Sequence, residues 1–79
     1  MEHNELLKLA SAVKENAYAP YSGFRVGAAV LMKSGRVFTG VNIENASYGA
    51  TCCAERTAIF KAVSERDTVI GTIAIASDS

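Results

Sequence analysis

The chain has 79 residues, room for one small domain. A chain of this size buries only about 60% of the surface that its unfolded form exposes. Apolar residues make up 49% and charged residues 20%, ordinary for a soluble globular protein, and eight basic residues balance eight acidic ones. Without a basic excess, neither a nucleic-acid nor a membrane-surface partner is expected, whereas small neutral or zwitterionic ligands remain open. Residues 1–5 are polar and acidic, unlike a signal peptide, and the longest apolar stretches fall far short of a membrane span. The two cysteines, Cys52 and Cys53, are adjacent and form no disulfide framework, so a cytoplasmic location is the expectation.

Leu6, Leu7, Ala10, Val13 and Ala17 recur at helical spacing, with Glu5, Lys8, Lys14 and Glu15 on the other side, which predicts an amphipathic helix over 2–17. Pro20 disfavours helix at Ala19, and Tyr21-Ser22-Gly23 reads as a turn. Val26–Met32 has the length and composition of a strand, Lys33-Ser34-Gly35-Arg36 supplies turn chemistry, and Val37–Val41 is the returning strand of a hairpin. Residues 42–51 are polar and predict a loop. Residues 53–64 predict a second helix, Asp67-Thr68 a turn, and 69–76 a third strand. The order is α-β-β-α-β, an α/β fold without internal repeats. The third strand is a near-continuous apolar run of Val69, Ile70, Ile73, Ala74, Ile75 and Ala76. Such a run predicts burial on both faces and pairing on both sides, as in parallel sheets; at a sheet edge it would be an association hazard.

Two constellations could carry chemistry. Cys53 stands where the loop becomes a helix, and a thiolate there is stabilised by unpaired N–H groups and the positive end of the helix dipole, which suits a metal ligand. Glu55 follows in the same first turn, and the two side chains can converge beyond the helix end. Arg56 can donate hydrogen bonds to thiolates from behind the metal. Cys53 could equally be a small buried residue and Glu55 a dipole complement; Cys52 packs inward on this reading and takes no metal role. Asn42 and Glu44, two apart, share one side of an extended chain and suit a ligand with hydroxyls, such as a ribose. Alternatively, Asn42 and Asn45 satisfy local backbone groups. Phe24 could stack on a base or belong to the core.

Together the segments become specific. Ala17-Tyr18-Ala19-Pro20-Tyr21-Ser22-Gly23-Phe24-Arg25-Val26-Gly27-Ala28-Ala29, Gly40-Val41-Asn42-Ile43-Glu44-Asn45-Ala46-Ser47-Tyr48 and Cys53-Ala54-Glu55-Arg56-Thr57-Ala58 resemble, in order and spacing, the signatures of the small homotetrameric zinc-dependent cytidine deaminases. The resemblance implies an α/β/α sandwich, here as a partial α-β-β-α-β unit in a single partial domain over 1–79. It implies zinc-dependent hydrolytic deamination of cytidine or deoxycytidine in pyrimidine salvage. Cys53 would be a Zn2+ ligand, and Glu55 the proton shuttle between attacking water, pyrimidine and departing ammonia. Asn42 and Glu44 would hold the ribose hydroxyls, Phe24 would pack on the base, and the Ala54 backbone would bond to the pyrimidine edge. Tyr48 would lie near a subunit boundary, and Arg56 would offset thiolate charge. Two further cysteine ligands are expected from a Pro-Cys-x-x-Cys segment after the third strand, which these 79 residues lack; His3, in the first helix, is a poor substitute. The alternatives are a related zinc deaminase of another aminated base, or a non-catalytic fragment or assembly module without zinc.

Overall fold

The computed structural model describes residues 2–19, 23–43 and 53–78. Helix α1 (His3–Val13) tightens into a 3-10 turn, Lys14–Asn16, and is followed by strands β1 (Val26–Met32) and β2 (Val37–Val41), helix α2 (Ala54–Ser64) and strand β3 (Ile70–Ser77). The predicted first helix is thus shorter as an α-helix by its last turn, where 3-10 bonds satisfy carbonyls that have no α-helical partner. The sheet order is β2-β1-β3. Both neighbours run antiparallel to β1, in registers that include Ala28↔Gly40 and Ala28↔Ile75. β2 and β3 therefore point the same way without touching, joined by α2 as the crossover.

Side chains of β1 alternate between two cores, as the period of a strand requires. Ala29 packs with Leu6 and Ala10 of α1, supported by Leu31, Val37, Ala74 and Ala76. Val30 and Met32 pack with Ala58 and Ala62 of α2, supported by Phe38 and Ile59. One helix on each face gives the three layers of an α/β/α sandwich. Two glycines set how closely the layers meet. A Cβ on Gly27 would overlap the Ala10 carbonyl and the Lys14 amide of the α1 side, and one on Gly40 would lie 2.5 Å from the Ala54 carbonyl oxygen and overlap the Ala58 amide of α2. Only glycine lets backbone approach backbone in this way.

Three sequence expectations change. Leu7, placed on the buried stripe, is 48% exposed, because α1 contacts the sheet chiefly through Leu6 and Ala10. The chain turns at Glu65 and Arg66 rather than at Asp67-Thr68: Arg66 takes a positive φ of 63°. Its N–H donates to Val63 O and that of Asp67 to Ala62 O, closing α2 with paired back-bonds to its last carbonyls. Finally, β3 forms no parallel ladder among the described residues. Among the described residues it pairs with β1 alone, antiparallel, and its exposure alternates. Ala74 and Ala76 face the α1 core, while Ile73 and Ile75 lie exposed on the other face, because α2 packs over β2 and β1 and barely reaches β3.

Candidate functional site

The topology gathers one end of the sheet. β1 begins there, β2 and β3 end there, and α2 begins there, since the Ala54 carbonyl lies over Gly40. Carboxyl ends of like-directed strands meeting a helix N-terminus are a common place for a ligand.

Cys53 is the N-cap of α2, with extended backbone at φ −74° and ψ 152° and no side-chain capping bond. Its carbonyl oxygen accepts from the Thr57 amide at 3.0 Å and from Thr57 Oγ1 at 3.1 Å, which fixes the main chain and leaves the thiol to other uses. The thiol is free and exposed, so it is not the small buried residue that a cysteine at a helix start often is. Glu55 is half-buried in the first turn, Arg56 is exposed, and Ala54 is buried against the sheet. For a zinc ion the described residues would offer the exposed Cys53 sulfur. Among them no three His, Cys, Asp or Glu side chains group to hold a metal, whereas a catalytic zinc site takes three protein ligands.

Asn42 sits just past β2 and is tied to the start of β1. Its Oδ1 accepts from the Val26 amide at 2.9 Å, and its Nδ2 donates to the Phe24 carbonyl at 2.9 Å. Its own amide donates to Val26 O at 3.2 Å, and its carbonyl accepts from Tyr18 N at 3.1 Å. The backbone-satisfying role for Asn42 is thus present. Among the described residues these bonds use one Nδ2 hydrogen and one Oδ1 lone pair of a primary amide that has two donors and two acceptor sites. Phe24 is brought directly to Asn42 and is 43% exposed, which removes it from the core. Glu44, Asn45, Tyr48 and Cys52 lie outside the described residues.

Sequence reasoning missed a cluster at the same end. Asp78, just past β3, accepts from Arg25 Nε at 2.8 Å and from the Arg25 amide at 3.1 Å through Oδ2, and its own amide donates to Arg25 O at 3.0 Å. Its Oδ1 lies 3.0 Å from Lys14 Nζ, and Arg25 also reaches Glu15 at 2.5 Å. The hydrogen bonds from Arg25 and Lys14 hold the Asp78 carboxyl well below the usual carboxylate range. The available signal was positional: Arg25 immediately precedes β1, and Asp78 immediately follows β3.

A family model described as the cytidine and deoxycytidylate deaminase zinc-binding region matches residues 1–77. A cytidine deaminase of Halalkalibacterium halodurans is 56% identical over the whole chain, which covers 60% of that protein. A probable cytidine deaminase of Dictyostelium discoideum is 52% identical over 99% of the chain and 55% of its own length. The crystal structure of a cytidine deaminase from Burkholderia pseudomallei superposes with a TM-score of 0.95 at 47% identity, covering 100% of this chain and 64% of that one. The chain therefore spans somewhat more than half the length of these relatives, and it belongs to the cytidine and deoxycytidylate deaminase zinc-binding family.

Proposed function

We propose that this chain carries the nucleoside-binding and proton-transfer part of a zinc-dependent cytidine or deoxycytidine deaminase, acting in pyrimidine salvage. The observation that carries the reading is the convergence of Phe24, Asn42 and the Cys53-Ala54-Glu55 turn at one end of the sheet. Asn42, its amide already oriented by the backbone, offers its second Nδ2–H to a ribose hydroxyl, with Glu44 as its partner. Phe24 packs against the base, and the Ala54 backbone bonds to the pyrimidine edge. Glu55 moves the protons: its carboxylate takes one from the attacking water and gives it to the ring, then takes the second from the same oxygen and gives it to the departing ammonia, serving each time as base and then as acid. Cys53 is one zinc ligand, and Arg56 tempers the charge of the thiolates around the ion. When bound, zinc supplies Lewis acidity, lowering the pKa of water toward 7. The two remaining cysteine ligands come from a Pro-Cys-x-x-Cys segment beyond the third strand, so residues 1–79 form a single partial domain of the enzyme. The full-length form is a cytoplasmic homotetramer with Tyr48 near a subunit boundary, and it binds neither nucleic acid nor membrane. No helix of the described residues is long and apolar enough to cross a membrane.

The test is a completed chain, in which these 79 residues are joined to the remainder of the Halalkalibacterium halodurans relative. Zinc content and cytidine turnover are then measured. The expected result is about one zinc per chain and release of uridine and ammonia. A folded completed chain that takes up no zinc would overturn the proposal.

A further inference from the structure

Residues 24–26 are gripped from both sides by side chains that follow the two flanking strands. From β2, Asn42 holds the Phe24 carbonyl and the Val26 amide. From β3, Asp78 holds the amide of Arg25 and its guanidinium, and returns a bond from its own amide to the Arg25 carbonyl. Each of the three residues thus has at least one main-chain polar group held by Asn42 or Asp78. The Arg25 side chain is spent on this closure, since its Nη1 reaches Glu15 at 2.5 Å and its Nη2 reaches Asp78 Oδ1 at 3.3 Å. Lys14 adds a second cation on the far oxygen of Asp78. A carboxylate that bonds a main-chain N–H and a guanidinium together fixes direction as well as distance. The residue so fixed adjoins Phe24, whose ring is partly exposed at the site end.

We propose that Asp78, acting through Arg25, is a positioning residue for Phe24, so that the end of β3 and the aromatic platform for the base are held as one unit. This rests on the nucleoside-binding reading of Phe24, and it adds the device that aims the ring. Asp78 touches no substrate in this account. Releasing it lets the backbone at Arg25 relax and turns the ring away from its docking position, which weakens substrate binding and leaves proton transfer at Glu55 alone. Small misplacements of a positioned group are costly because binding and reaction depend on pre-set geometry.

The first arm of the experiment uses the 79-residue chain and aromatic carbon NMR of its three phenylalanines, in Asp78→Asn, Arg25→Met, Lys14→Met and Glu65→Gln variants. Expected are displaced Phe24 resonances in D78N and R25M, small changes in K14M, none in E65Q, and unmoved Phe38 and Phe60 in all four. Unmoved Phe24 resonances in folded D78N and R25M overturn the proposal, and so does a K14M effect as large as that of D78N, which would make net charge the cause. If D78N does not fold, R25M decides. The second arm measures steady-state kinetics on the completed chain with cytidine. D78N should raise KM roughly tenfold while kcat stays within about twofold; a loss confined to kcat overturns the positioning role. An unmodified completed chain without deaminase activity would sink the functional reading, and the NMR arm would still decide whether Asp78 aims Phe24.

Discussion

The two ends of the sheet use the same residue types to different effect. At the hairpin end, Arg36 meets Glu65 at 2.6 Å and lies 4.8 Å over the Phe38 ring, while Ser34 donates to Asp67 at 2.6 Å. The Arg36–Glu65 side chains are about half exposed, 49% and 54%, and their bond joins side chain to side chain only. At the other end, Lys14 and Asp78 are 17% and 23% exposed, and Asp78 also bonds the main chain of Arg25, just before the strand beside it. A pair of the first kind can swing with its side chains and is screened by salt. The second kind fixes backbone. One arginine–carboxylate pair decorates a turn and the other holds main chain, and what separates them is whether an oxygen reaches a backbone amide at the start of another strand.

The strongest way to sharpen this contrast is at Glu55. In the completed chain, Glu55→Gln should lower kcat by roughly 10²–10⁴-fold with zinc retained, as loss of a general acid–base group does; turnover assays beside metal analysis check both halves. An active variant would remove Glu55 from the reaction. Next comes Gly40→Ala, which forces a methyl group into the Ala54 and Ala58 backbone. It should cost about 3 kcal/mol in urea unfolding, at the upper range for overpacking, and should displace the Cys53 turn. A cost near zero would mean that α2 is not seated on Gly40.

Acid should act on one end more than the other. Because the folded Asp78 carboxyl is held well below its ordinary value, its contribution is complete above the unfolded value of about 3.9 and is lost as pH falls through the folded one. The stability gap between the parent chain and Asp78→Asn, read from urea midpoints, should therefore be full at neutral pH and shrink below about pH 4. A gap that widened toward acid would contradict this linkage. Smallest is Glu65→Gln at the hairpin end, expected within about 0.5 kcal/mol of the parent and fading further at high salt; a larger loss would erase the distinction between the two ends.

Much of this architecture is legible in the sequence because local pattern dictates it. The strand bounds Val26–Met32 and Val37–Val41 follow from apolar runs around a turn, and the start of α2 just after Cys53 follows from the change of period there. The direction of β3 was not legible. A run of isoleucines and alanines signals burial without naming a neighbour, and among the described residues only the α1 face of the strand is covered, since α2 stops short of it. The site divides in the same way. Cys53, Glu55 and Asn42 announce themselves by motif. The Arg25–Asp78 contact spans 53 residues of sequence and exists only because β1 and β3 pair in one register, Val26 opposite Ser77. A one-residue slip would part them.

Arg66 adopts the left-handed backbone that ends α2, a conformation that costs a residue with a side chain roughly 1–2 kcal/mol. The fold has left a cheap improvement unused there, at the end of the molecule remote from Phe24 and Asn42. Arg66→Gly should recover about 0.5–1 kcal/mol once the added freedom of the unfolded chain is counted. Such a background would have a higher melting temperature with the Phe24–Asn42 end untouched, and so would tolerate disruptive exchanges at Asp78 or Gly40 better than the parent chain.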